Sequence, residues 1–157
     1  MWGVTCVDIK QNNGVVYLSG DISEASQFAN LPIASGEVRM DMAGIRSINS
    51  TGVREWALWL GRSSIKPTYV NCPPAVVMQL NIIPQLLENG AVVESFYLPA
   101  YCPSCQKQIL FLLRSGHEFF PGKAPTIALP LCGCDDAPYE SDVDLDEYFY
   151  FVEQLPA

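Results

Sequence analysis

The first hundred residues alternate between strand-like and helix-like patterns of apolar positions. Residues 2–9 and 14–19 predict two strands, joined by a hairpin turn at Asn12-Asn13-Gly14. Glu37 to Met42 alternates polar and apolar residues, as a strand with one buried face does. Residues 43–48 are then expected to form a loop. Residues 68–71 and 91–98 predict two further strands.

Three helices are predicted between these strands. The first covers residues 22–31 and begins at a capping-box-like pair, Asp21 and Glu24. The second follows Ser50-Thr51-Gly52, and apolar residues at helical spacing give it one buried face. These residues are Val53, Trp56, Ala57 and Leu60. The third begins at Pro73-Pro74, extends to about Leu87 with a break near Pro84, and ends at Asn89-Gly90.

The pattern changes at Tyr101, where cysteine pairs, prolines and acidic residues replace the alternation. We therefore predict a domain over residues 1–98 and a small zinc-ribbon-like module over residues 99–157. In the module, residues 108–113 are expected to form a hairpin strand and Phe119-Phe120 to pack over a metal ion. A short final helix capped by Asp142 is expected to pack on the module. Its apolar residues are Leu145, Tyr148, Phe149 and Val152.

Composition restricts the function classes. The 157 residues are 49% hydrophobic and 17% charged, which is sufficient for a packed core. The net charge of −8, without a basic stripe, disfavours nucleic-acid binding. No signal peptide is recognised, and no apolar run reaches the roughly 18 residues of a membrane helix. We expect a cytoplasmic protein without a membrane span, where close cysteine pairs are more typical of metal sites than of disulfides.

The two close cysteine pairs predict a structural zinc ion. Zinc prefers four tetrahedral ligands, and four thiolates leave no open position for catalysis. The predicted ligands are Cys102, Cys105, Cys132 and Cys134. Since the second pair has the less common C-x-C spacing, His117 or Asp135 is an alternative ligand. Cys6 and Cys72 lie in or beside predicted strands and are interpreted as buried small hydrophobic residues. A redox pair or disulfide remains an alternative, because residues 91–113 also fit a thioredoxin-like strand–CxxC–helix arrangement.

A second feature is the hydroxyl pair at the start of the second helix. In one interpretation, Asn49, Ser50 or Thr51 caps the helix by accepting a bond from a free backbone N–H group. In the other, the helix N-terminus stabilises a phosphoryl group or an anionic side chain of a partner. A phosphate here would also add charge to a surface that docks a partner.

Three stretches carry a resemblance to a known family. They are Val16-Tyr17-Leu18-Ser19-Gly20-Asp21-Ile22, Val38-Arg39-Met40-Asp41-Met42-Ala43-Gly44-Ile45 and Asn49-Ser50-Thr51-Gly52-Val53. Together with the order of strands and helices over residues 1–98, they resemble the STAS domain of anti-sigma-factor antagonists. The resemblance implies an α/β fold with a mixed sheet and helices mainly on one face. The chain departs from the family at Asn49, where Asp is common, and in having no evident C-terminal domain helix.

The resemblance also implies a function. Family members commonly act as binding switches for an anti-sigma factor with kinase activity, and the second hydroxyl of the motif, here Thr51, accepts the phosphate. We therefore predict a non-enzymatic regulatory protein that binds a protein partner around Asn49, Ser50, Thr51 and Arg54. No nucleophile–base pair stands out, and His117 is the only histidine. The alternatives are a zinc-stabilised scaffold subunit without a phosphoswitch and, less favoured, a thiol oxidoreductase that uses the CxxC.

Overall fold

The fold is mixed α/β, with two sheets and four α-helices in the described part of the chain. The computed structural model describes residues 7–26, 28, 31, 35–134 and 136–157. The strands are β1 (Asp8–Asn12), β2 (Val15–Ile22), β3 (Ser35–Ile48), β4 (Ser64–Val70), β5 (Val92–Val93), β6 (Ser95–Tyr101), β7 (Gln108–Arg114) and β8 (Glu140–Ser141). The helices are α1 (Ser50–Arg62), α2 (Pro74–Ile82), α3 (Leu145–Tyr148) and α4 (Tyr150–Gln154), with a 3₁₀ helix at Pro84–Leu87.

The first sheet has five strands in the order β1-β2-β3-β4-β5. β1 and β2 are antiparallel, and the other neighbours are parallel, so the sheet is mixed. The predicted hairpin is confirmed: Asn13 and Gly14 form its turn with φ angles of 50° and 78°. A two-residue hairpin turn of this type requires positive φ angles at its two central residues. Residues 1–6 of the first predicted strand lie outside the described residues.

One face of this sheet is buried beneath α1 and α2. Alternate residues along β3, such as Val38 and Met40, are buried, whereas Arg39 between them is exposed. The buried side chains share one core with the inner faces of both helices. In that core the Trp56 ring of α1 lies edge-on to the Tyr69 ring of β4, with centroids 5.6 Å apart. Both helices therefore lie against the same face of the sheet.

Two predictions around the second and third strands are wrong. β2 extends to Ile22, so no helix begins there, and β3 continues through the predicted loop to Ile48. Residues 20–22 pair with residues 45–48, and the two register shifts between β2 and β3 do not end either strand. Asp21, expected at a helix start, accepts hydrogen bonds from Arg46 and Ser47 instead. Residues 27, 29–30 and 32–34 of that region lie outside the described residues.

The predicted strand 91–98 is two strands that belong to different sheets. Glu94 separates β5 from β6, and its N–H donates to the Tyr69 carbonyl at 2.8 Å. β6 is the central strand of a second sheet, in the order β7-β6-β8. It runs through Pro99, across the predicted domain boundary. The division into two domains stays a prediction, but side chains from both parts share the main core.

The C-terminal helices pack on α2 and the main core, and not on the cysteine module as predicted. Phe96 of β6 lies 5.0 Å from Phe151 and 6.0 Å from Phe149 between ring centroids. Asp144, and not the predicted Asp142, caps α3 by accepting from the Glu147 N–H at 3.1 Å. The apolar side chains of this segment reach the core of the first sheet. More of their surface is buried there than the small module could bury.

The predicted position of Phe119-Phe120 over the metal is also wrong. Phe119 is buried in the main core, where its ring centroid lies 5.0 Å from that of Phe96. Phe120 is 54% exposed. None of the helices in the described ranges has the length and apolar character needed to cross a bilayer.

Candidate metal centre and the N-terminus of helix α1

The four predicted cysteine ligands converge on one point. Their sulfur atoms all lie within 4.8 Å of one another. The Sγ atoms of Cys102 and Cys134 are 3.5 Å apart, and those of Cys105 and Cys132 are 3.7 Å apart. A disulfide would need about 2.05 Å. A tetrahedral ion with metal–sulfur bonds of about 2.3 Å, as zinc has, separates its sulfur ligands by about 3.8 Å. The cluster is therefore compatible with one tetrahedral metal ion.

Two turns of equivalent geometry present the two pairs. In the first, the Cys102 N–H donates to the carbonyl five residues on, that of Lys107, at 2.8 Å. In the second, the Cys132 N–H donates to the carbonyl five residues on, that of Ala137, at 2.7 Å. The residue before each acceptor has a positive φ, 64° at Gln106 and 45° at Asp136. The C-x-x-C and C-x-C pairs thus lie in turns of the same length, so the shorter spacing does not remove the second pair from the site.

A small hydrophobic cluster supports the inner cysteines. Cys102 and Cys132 are 0% and 3% exposed, whereas Cys105 and Cys134 are exposed. Ala100 and Tyr139 complete this cluster. A hydrogen bond from the Tyr139 hydroxyl lowers the pKa of Cys132 to about 6 and raises the pKa of Tyr139 to about 12. The lower pKa favours the thiolate at Cys132, the form of cysteine that binds metal ions, whereas the hydrogen bond with Cys102 raises the pKa of Cys134.

His117 and the thioredoxin-like arrangement find no place in this geometry. Among the described residues the metal-ligating group consists of the four cysteines. His117 lies instead in the turn after β7, where its N–H donates to the Arg114 carbonyl. Asp135 lies outside the described residues. Cys105 is followed by strand β7, and not by the helix that a thioredoxin-like motif requires.

The other two cysteines were predicted to be buried hydrophobic residues. Cys72 is 0% exposed, and burial raises its pKa, so it remains a neutral thiol. Cys6 lies outside the described residues.

The N-terminus of α1 brings together the predicted partner-binding residues. Asn49 is the N-cap, and its side-chain oxygen accepts from the Gly52 N–H at 2.7 Å. Its side-chain amide donates to a Glu24 carboxylate oxygen at 2.8 Å. This hydrogen bond from Asn49 lowers the pKa of Glu24. Asn49 thus caps the helix, as the first of the two interpretations of this motif predicts.

The glycine of the motif is required by a close approach. A Cβ atom on Gly52 would lie 2.5 Å from the carbonyl carbon and oxygen of Ile22. The Asn49 N–H donates to the same Ile22 carbonyl at 3.0 Å, which holds the start of α1 against the end of β2. Only glycine permits this contact.

Ser50, Thr51 and Arg54 are all exposed, and Ser50 and Arg54 line an apolar groove. The groove has a volume of about 600 Å³ and lies between α1 and the α2–3₁₀ segment. Ser50 and Arg54 contribute its polar rim, and its apolar lining includes Leu58 and Ile82, which are 38% and 64% exposed. Ser50 of the hydroxyl pair thus lines this groove, and Thr51 is its exposed neighbour in the chain.

Sequence reasoning did not find two residues of these sites. Glu24 was interpreted as part of a capping box with Asp21, whereas it contacts the Asn49 side chain. Tyr139 carries no motif at all, and only the fold brings its hydroxyl to Cys132. A polar residue that acts across 25 positions of sequence leaves no local pattern.

The chain matches no protein-family model, no curated protein and no solved structure. The STAS resemblance therefore stays a prediction that depends on the quoted residues.

Proposed function

We propose that this chain is a non-enzymatic, STAS-like regulatory protein that binds a protein partner at the N-terminus of α1. The observation that carries the proposal is the groove between α1 and the α2–3₁₀ segment, which Ser50 and Arg54 line, with Thr51 exposed next to Ser50 in the chain. The mixed sheet with helices against one face is the architecture that the STAS resemblance implies. An apolar floor with a polar rim is the usual composition of a protein-binding surface.

Charge at this helix end supports a switch by phosphorylation of Thr51. α1 has no acidic residue in its first turn, so its positive dipole end is not compensated from within the helix. Arg54 lies one turn after Thr51 and within reach of a phosphate there. A phosphate on Thr51 would add a doubly charged group next to Ser50 and Arg54, and partners that dock an apolar or acidic surface in the groove would then be excluded.

We further propose that the four cysteines hold a structural zinc ion, as in a zinc-ribbon-like module. The tetrahedral spacing of four sulfurs and the absence of another ligand type among the described residues support zinc over calcium or magnesium, which prefer oxygen ligands. With four thiolates bound, the ion stabilises the two turns and has no site for a substrate.

The test is affinity capture from the native host, followed by variants at both ends of α1. We expect Thr51→Glu to weaken binding of the captured partner at least tenfold, and we expect Thr51→Ala to retain this binding. Ser64→Glu is the matched control, because it adds the same charge at an exposed position beyond the other end of α1. Equal binding by wild type, Thr51→Glu and Thr51→Ala would refute the switch.

A further inference from the structure

The backbone of β6 shows which groups of its neighbour β7 are free to bond outward. The Tyr97 N–H donates to the Cys72 carbonyl at 2.9 Å, and the Tyr148 hydroxyl donates to the Tyr97 carbonyl. Pro99 has no N–H, and its carbonyl accepts from the Asp142 N–H at 3.0 Å. The backbone groups of Tyr97 and Pro99 are therefore turned away from β7.

In an antiparallel ladder, residues opposite such positions direct their own N–H and C=O groups outward. Leu112 lies opposite Tyr97, and Leu110 lies opposite Pro99. Their backbone groups therefore point to the outer edge of β7, where no described residue bonds to them. At the end of the strand the Arg114 N–H is already bound by the Glu118 carboxylate at 2.9 Å. The free edge is thus a short segment centred on Phe111.

Between Gln108 and Leu113 this edge lacks three of the features that usually prevent strand addition: charge, proline and a bulge. Natural edge strands are protected by charged residues, proline, bulges or covering segments. Between Gln108 and Leu113, β7 has no charge and no proline, and it pairs with β6 without a register shift. The Leu110 side chain is 55% exposed, and Leu112 on the same face is half-buried. An uncharged, apolar edge of this kind favours pairing with another strand.

The local charge favours a second copy of the chain as the partner. Residues 95–117 contain no aspartate or glutamate, although the chain as a whole carries 17 of them and a net charge of −8. This segment carries Lys107 and Arg114 instead. Two copies of an acidic protein repel each other least where both surfaces lack carboxylates. The same segment contains the free edge.

We propose that β7 pairs in antiparallel register with β7 of a second copy, about a twofold axis at Phe111. This register places Leu110 opposite Leu112 of the second copy, and the converse pair forms by symmetry. Each pair exchanges two backbone hydrogen bonds between groups that now point outward. This register also leaves the contact between Arg114 and Glu118 outside the new ladder. The two three-stranded sheets then become one continuous sheet.

The test is sedimentation equilibrium of the full chain over a wide concentration range. We expect the wild-type mass to rise toward twice the 17.3 kDa of the chain, and Leu110→Lys to shift this transition to at least tenfold higher concentration. Leu131→Lys is the matched control, since Leu131 is 60% exposed and lies outside strand β7. It should associate as the wild type does. A wild type that stays monomeric at about millimolar concentration would overturn the proposal.

Residue-resolved amide hydrogen exchange on the wild type tests the register without any variant. The amides of Leu110 and Leu112 should become protected as concentration rises, whereas those of Ile109 and Phe111, which bond to β6, should be protected throughout. A dimer that leaves Leu110 and Leu112 unprotected would overturn the pairing. Protection of these amides only after addition of an extended peptide would identify a different occupant and would equally refute a second copy.

Discussion

Replacing Gly52 by alanine should destabilise the protein, although alanine is the better helix former. The added Cβ would lie 2.5 Å from the Ile22 carbonyl, whereas an ordinary contact is 3.4–4 Å. The atoms it meets belong to the backbone, so no side chain can turn aside. The start of α1 and the end of β2 must separate, which strains the hydrogen bond from Asn49 to Ile22.

The size of this loss in unfolding free energy follows from two unfavourable contributions and one favourable one. Overpacking of this kind costs about 1–3 kcal/mol, and loss of the hydrogen bond costs about 1 kcal/mol more. The helix preference of alanine returns up to about 1 kcal/mol. A net loss of about 2 kcal/mol corresponds to about 4–8 °C in the melting temperature for a protein of this length.

Gly61→Ala is the matched control in the same helix. No atom lies within 4 Å of a Cβ at Gly61, so the variant should gain up to about 1 kcal/mol. Urea denaturation monitored by tryptophan fluorescence, with thermal melts, measures both variants. Equal stabilities for Gly52→Ala and Gly61→Ala would refute the close approach of α1 to β2.

Three further outcomes are expected. Tyr69→Phe should lose about 1–3 kcal/mol of unfolding free energy, because the Tyr69 hydroxyl donates to the buried Leu86 carbonyl at 2.7 Å and no water replaces it; urea denaturation measures this, and a loss near zero would contradict it. Asn49→Asp should destabilise the protein at neutral pH, since two carboxylates would then meet at Glu24. Because the Asn49 bond lowers the pKa of Glu24, that bond stabilises the fold above the ordinary carboxyl pKa and less as pH falls through the lowered value. The deficit of Asn49→Asp should therefore shrink in acid, where protonation relieves the repulsion, and a pH-independent deficit would argue against this contact. Cys105→Ser should reduce bound zinc well below one ion per chain by elemental analysis, and a chelator should lower the melting temperature of the wild type alone; wild type without metal would contradict the site.

Elements with a strong local pattern were predictable from the sequence. α1 begins after Asn49, and most of the apolar positions predicted for its inner face are buried. α2, its break near Pro84 and the hairpin at Asn13-Gly14 also agree with the prediction. In each case the signal is local: a helix cap, a proline or a positive-φ turn acts within a few residues.

Predictions failed where pairing with a distant strand decided the structure. β3 continues through the predicted loop because β2 pairs with it as far as Ile48. The strand over residues 91–98 divides at Glu94 because β4 and the second sheet compete for its two halves. Such choices depend on the partner strand, which local sequence does not contain.

The sequence by itself determined the chemistry available to this protein: two close cysteine pairs, a hydroxyl pair at a helix start and an acidic chain without a basic stripe. Only the tertiary structure decided how these groups are used. It brings four sulfurs within 4.8 Å across about thirty residues and gives the C-x-C pair a turn equal to that of the C-x-x-C pair. It also directs the last helices to α2 and leaves the edge of β7 open. The physical reason is the same in each case: side-chain types are local properties, whereas burial, convergence of ligands and unpaired strand edges arise from contacts between segments distant in sequence.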